Sequence, residues 1–217
     1  SQTINVNTTG TYTVTVTNPV NGCQTTDAIN ITVNALPTIT ASAAAPTICN
    51  GVSTTITAGG GATYNWSGLG TNASYVVNPA ATTVYTVTGT DANGCTNTAN
   101  VTVTVNALPS IAASATVPSY CIGGSSTVSA SGGSTYNWNN GLGAGSSHVV
   151  SPVATTVYTV TGTDGNGCTN TANVTVTVNP QPSIIAAATY PSLCIGESTP
   201  LTGSGGSTYV WDNGLGA

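Results

Sequence analysis

The sequence predicts an all-β chain laid out as a tandem array of small antiparallel sandwiches, and three observations carry that expectation. Cys49, Cys121 and Cys194 recur at intervals of 72 and 73 residues, and Trp66, Trp138 and Trp211 recur at the same intervals. Threonine and valine alternate in short runs, the two-residue period of strands with one buried and one wet face. Gly, Pro, Asn and Asp punctuate those runs about every ten residues, and no stretch carries a helical period.

The period sets the domain organisation. VYTVTGTDANGCTNTANVTVTVNAL at Val84 returns at Val157 as VYTVTGTDGNGCTNTANVTVTVNPQ, and a more diverged copy begins at Thr11. Pro-containing joints at Ala35-Leu36-Pro37, Ala107-Leu108-Pro109 and Pro180-Gln181-Pro182 follow each Thr/Val run and precede a fresh Ile/Ala-rich segment. They are expected to be domain boundaries. Two complete repeats result, 36–107 and 108–180. They are flanked by 1–35, the C-terminal half of a repeat, and 181–217, the N-terminal half. Ala217 corresponds to Ala144 and Ser1 to Ser147, so the two halves together make one further unit. The simplest expectation is a window of a longer repetitive chain. The alternative is polymerisation, the front half in one molecule completing the back half in another, in the manner of strand donation.

Within 36–107, strands are expected at 38–44, 53–58, 62–67, 73–77, 82–90 and 97–105. In the last, Val101, Val103 and Val105 share one face while Thr102 and Thr104 share the other. Asp91-Ala92-Asn93-Gly94 supplies a hairpin turn, with glycine where positive φ is needed. Tyr64 and Trp66 are two residues apart and face one way, as do Tyr136 and Trp138, and Tyr209 and Trp211. These six aromatics are expected at the centres of the cores. Six or seven short strands per repeat, with Trp on the third, indicate a two-sheet sandwich of immunoglobulin type.

The run Ile48-Cys49-Asn50-Gly51, then TTITAGGGATYNWSG, then Val77-Asn78-Pro79, then TTVYTVTGTDANGCTNTANVTVTV resembles the immunoglobulin-like or PKD-like repeats of giant surface adhesins in gliding bacteria. The resemblance covers essentially the whole chain. It implies export by type IX secretion, a place on the extracellular cell surface, and a part in attachment and gliding motility.

Each repeat has one cysteine before its second expected strand (Cys49, Cys121, Cys194) and one in its last hairpin (Cys23, Cys95, Cys168). Disulfides are the expected chemistry. Zinc is the rival, but there is no CxxC pair, and the sole histidine, His148, is replaced by Gln2 and Tyr75 in the other repeats. In an immunoglobulin-type sandwich the two cysteine positions lie at opposite ends, too far apart for a bridge within one domain. Successive domains strung end to end would bring Cys49 beside Cys168. An interdomain Cys49–Cys168 staple is therefore expected. Cys23, Cys95, Cys121 and Cys194 are expected to bond to cysteines in neighbouring domains or outside this segment.

Composition narrows the partners. The 217 residues include no Lys or Arg, one His and five acids (Asp27, Asp91, Asp164, Glu197, Asp212), for a net charge of −5. With no cation to neutralise phosphate, neither nucleic acid nor an anionic membrane surface is expected as a partner, and no apolar run is long enough to insert in a bilayer. No cofactor is expected. Asp91 and Asp164 offer oxygens in turns, but one carboxylate per loop is sparse for calcium. No enzyme is expected, since a nucleophilic triad lacks a repeated base. Asn65, Asn72 and Asn100 begin glycosylation sequons, and sugar attachment is left open.

The expected function is thus a structural stalk or filament segment of an extracellular adhesin. Its partners are adjacent repeats of the same long chain and, because no lysine guards the sheet edges, lateral copies in a fibre. The alternative is a carbohydrate- or surface-binding module using the loops at 68–72, 141–147 and 214–217, its ligand unknown. An ice-binding adhesin, using Thr-x-Thr faces such as Thr11-Tyr12-Thr13, is a more remote third.

Overall fold

A computed structural model describes residues 2–212. Every regular element among them is a β-strand, and the chain divides between Ala107 and Leu108 into two units.

The first unit opens with a hairpin of β1 (Gly10–Thr17) and β2 (Gln24–Ile31), Gly10 facing Ile31 and Thr17 facing Gln24. A sandwich follows, made of β3 (Thr40–Ala43), β4 (Thr47–Cys49), β5 (Thr54–Gly59), β6 (Thr63–Trp66), β7 (Ser74–Val77), β8 (Thr83–Thr90) and β9 (Thr96–Asn106). One sheet has the order β3-β5-β7 and the other β4-β9-β8-β6. All pairings are antiparallel except β4 with β9, which run parallel. This is an immunoglobulin-like arrangement, in which the first strand starts in one sheet and crosses to the edge of the other.

Sequence reading overlooked β4 and placed Cys49 in a connection before the second strand. Three residues show no alternation to read. The pairing arises because the chain changes sheet at Pro46, whose carbonyl accepts the Thr104 N–H at 2.8 Å.

The core lies between the two sheets. Ile56 and Ala58 of β5 and Val77 of β7 meet Trp66 of β6, Val87 of β8 and Val103 of β9, with Ile48 at the edge. Alternation puts them there: Val103 is fully buried while Thr102 and Thr104 are exposed. Each such valine or isoleucine stabilises the fold by roughly 1.5–3 kcal/mol through removal of apolar area from water.

The second unit repeats the plan with β10 (Ala112–Ala115), β11 (Ser119–Cys121), β12 (Ser126–Ser131), β13 (Thr135–Trp138), β14 (Gly143–Ala144), β15 (Ser147–Val150), β16 (Thr156–Thr163) and β17 (Thr169–Asn179). Its sheets are β10-β12-β15 and β11-β17-β16-β13-β14. The extra residue between Trp138 and His148 makes β14, which pairs with β13, whereas the shorter loop after Trp66 forms only a Trp66–Gly70 bridge. Val128, Val160 and Val176 are fully buried, in the places of Ile56, Val87 and Val103. A hairpin of β18 (Ile185–Ala188) and β19 (Leu201–Ser204) ends the described chain.

Candidate functional site

The asparagines, aspartates and cysteines that recur with the period gather at the two poles of each sandwich. At the pole where the chain enters, the Asn97 side-chain amide donates to the Pro37 carbonyl at 3.0 Å, and Asn170 does the same to Pro109. Both asparagines lie just inside the last strand, so each pins the start of its domain to the hairpin that precedes that strand. Asparagine at this place in both complete repeats is a signal that sequence reasoning missed.

The hairpin itself is built on one carboxylate. Asp91 Oδ1 accepts the N–H groups of Asn93 and Cys95, both at 2.9 Å, and Gly94 takes φ +82°. Asp164 treats Asn166 and Cys168 identically, with Gly167 at φ +82°. The turn chemistry expected of these aspartates is what the structure displays. Cys95 and Cys168 are held at the entry pole as a result.

Cys49 and Cys121 sit at the other pole. Cys49 closes β4 opposite Asn106, the last residue of β9, and Cys121 closes β11 opposite Asn179, the last residue of β17. Asn50 and Ile122 each donate a backbone N–H onward to that same asparagine's carbonyl, at 2.9 and 3.0 Å. Cys49 and Cys95 are thus separated by the length of β9, whose 11 residues span roughly 35 Å. A disulfide needs Cα atoms within about 7 Å, so neither sandwich can bridge its own two cysteines. Cys49 and Cys168 are disulfide-bonded, and Cys23, Cys95, Cys121 and Cys194 are free thiols. Cys168 is fully buried, while Cys23, Cys121 and Cys194 are exposed.

The aromatic pairs do two jobs. Trp66 and Trp138 are buried, at 1% and 3% exposure. Tyr64, half-buried, clamps the turn before its own strand, its hydroxyl accepting from Gly61 N–H at 3.0 Å and donating to Gly61 O at 2.8 Å. Tyr136 clamps Gly133, and Tyr209 clamps Gly206, in the same way. The preceding glycine is obligatory: Gly60 has φ +87°, and a Cβ there would stand 1.9 Å from the Thr38 carbonyl oxygen. Trp211 is only half-buried, unlike its two counterparts.

The tryptophan nitrogens differ. Trp138 Nε1 donates to Gly145 O at 3.0 Å across the longer loop, and its ring meets His148 edge-on at 6.4 Å. Trp66 Nε1 is buried with no hydrogen-bond partner among the described residues, as is His148 Nε2.

Of the loops expected to bind a ligand, 68–72 adjoins a shallow groove of about 660 Å³ lined by Ala62, Tyr64, Asn65, Thr71, Thr88 and Thr90. In 141–147 the chain forms β14, and 214–217 lies outside the described residues. Among the described residues no three of His, Cys, Asp and Glu come together as a metal site would require.

No family model and no curated protein matches the chain. Solved structures that align with it include a structure described as giving insight into host cell surface retention of a 1.5-MDa bacterial ice-binding adhesin, at 14% identity and TM-score 0.35, over 71% of this chain and 69% of that one. A Ca2+-stabilised adhesin with which an Antarctic bacterium binds ice aligns at 20% identity and TM-score 0.37, over 83% of this chain and 60% of that one. Murine CEACAM1b aligns at 13% identity and TM-score 0.32, over 66% of this chain and 100% of that one. Overlaps this loose carry no functional assignment.

Proposed function

We propose that this chain is a stalk segment of an extracellular cell-surface adhesin, its sandwiches supplying length and stiffness for surface attachment or gliding. The observation that carries the reading is the placement of the two disulfide-bonded cysteines. Cys49 lies at the pole by which the chain leaves its sandwich, and Cys168 at the pole by which the chain enters the next. A Cys49–Cys168 bond would tie one repeat to the next and limit bending between them. Structural disulfides of this kind belong to an oxidising compartment outside the cell.

Non-reducing peptide mapping tests the bond, using chymotrypsin because the chain offers trypsin no Lys or Arg. A peptide joining Cys49 to Cys168 is expected, and a Cys49–Cys95 peptide would end the stalk reading. Small-angle scattering should then show a shorter, more variable maximum dimension after reduction. A glycan-binding module is the second reading, favoured by the Tyr64–Asn65–Thr88 groove. Saturable glycan-array binding that Tyr64→Ala abolishes would establish it instead.

A further inference from the structure

The two complete sandwiches differ at one sheet edge. In the second, the loop after Trp138 folds back along β13. Gly143 and Ala144 pair with Trp138 and Asn137, the Gly145 N–H donates to the Tyr136 carbonyl at 3.2 Å, and the Gly145 carbonyl accepts from Trp138 Nε1 at 3.0 Å. One residue thus satisfies both the edge carbonyl and the indole. In the first sandwich the loop is one residue shorter, and it pairs with β6 only at Trp66, whose N–H donates to the Gly70 carbonyl at 2.8 Å.

Beyond that bridge the chain is diverted. Asn72, in the place of Gly145, gives its N–H to the Tyr75 hydroxyl at 3.2 Å, and Tyr75 stands where the second sandwich has His148. Strand alternation turns the Tyr64 carbonyl to the same edge as the Trp66 N–H. The carbonyl and the indole therefore lose the partner that Gly145 is to their counterparts. Trp66 Nε1 is buried with no hydrogen-bond partner among the described residues, a costly state for a donor. The groove of about 660 Å³ runs between residues 62–65 on one side and Thr71 and Ala73, which flank Asn72, on the other.

We infer that this groove is a docking site for an extended peptide segment of small, uncharged residues, laid along β6 as residues 143–145 lie along β13. The chemistry of the occupant is read from the second sandwich of the same chain. A single residue of an extended backbone carries both the donor for the Tyr64 carbonyl and the acceptor for Trp66 Nε1, and strand addition at an open edge uses those groups. Small residues fit because Gly143-Ala144-Gly145 is the segment seated at the equivalent place. An uncharged segment fits because no residue lining the groove carries a charge, Thr63, Asn65, Thr71, Thr88 and Thr90 offering hydroxyls and an amide. The site lies within residues 62–90, so it goes beyond the stalk reading and does not depend on it.

The test uses the full 217-residue chain labelled with nitrogen-15 and follows the indole N–H signals of its three tryptophans by NMR. Trp66→Phe identifies the Trp66 signal. The probe is the capped peptide Leu-Gly-Ala-Gly-Ser, the sequence of residues 142–146. It should move the Trp66 signal downfield and saturably and leave that of Trp138 in place. Leu-Gly-Ala-Pro-Ser, which has no N–H to give the Tyr64 carbonyl, should bind about tenfold more weakly. Thr71→Tyr, which fills the groove from an exposed wall, should weaken the first peptide to a similar extent. The inference is overturned by a Trp66 signal that stays still at about 10 mM peptide, that responds equally to the proline peptide, or that responds unchanged in Thr71→Tyr. A signal that moves with neutral oligosaccharides and not with the peptide overturns it as well.

Discussion

Cys49 stands opposite Asn106, in register at the end of the strand by which the chain leaves its first sandwich. The proposed bond from there to Cys168 would close a loop of about 120 residues, which on the chain-entropy account would contribute about 4–5 kcal/mol. Cys49→Ser with Cys168→Ser should lower the unfolding free energy by up to that amount, read from guanidinium midpoints. Reductant should reproduce the shift in wild type and add nothing in the double variant.

The hairpin carboxylates predict a smaller and local effect. Asp91→Ala removes the acceptor of two backbone N–H groups and should cost about 1.5–3 kcal/mol in the first sandwich. Asp91→Asn, which keeps one acceptor oxygen, should recover most of the loss. Hydrogen exchange at Asn93 and Cys95 would localise the change.

Trp66 and Trp138 offer a matched pair. Trp138→Phe gives up the bond from Nε1 to Gly145, whereas Trp66→Phe removes a nitrogen that has no partner among the described residues. Chemical denaturation should find the Trp138 variant worse by about 1 kcal/mol. Equal losses would mean that the Gly145 bond contributes nothing net.

Tyr158 predicts an alkaline limit for the second sandwich. Burial raises its hydroxyl pKa above the usual tyrosine value, and the neighbouring Tyr120 adds to the shift. The folded state thus holds this proton after the unfolded chain has begun to release it near pH 10, so stability falls as pH climbs beyond about 10. Tyr158→Phe should flatten that decline in thermal melts across the alkaline range.

Most of the fold was legible in the sequence because alternation and turn residues are local signals. Each of the six strands expected in 36–107 forms, displaced by only a residue or two at most ends. The parallel edge strand Thr47–Cys49 was not legible, since it exists only through pairing with residues some 57 positions away. The aromatic clamp was half legible. Spacing put Tyr64 and Trp66 on one face, but that the Tyr64 hydroxyl returns to Gly61 depends on the turn at Gly60. Trp211 marks the limit of periodicity as a guide: it repeats Trp138 in sequence, yet the strands that would cover it belong to a back half that does not follow within residues 181–212.

The parallel pairing of β4 with β9 also decides how a sandwich answers a pull on its ends. Tension toward the entry pole draws on β4 from its N-terminal side, and tension toward the exit pole draws on β9 from its C-terminal side. The strands are therefore loaded in shear. Thr47–Thr104, Ile48–Val105 and Cys49–Asn106 must yield together, whereas a hairpin pulled open from its end gives way one rung at a time.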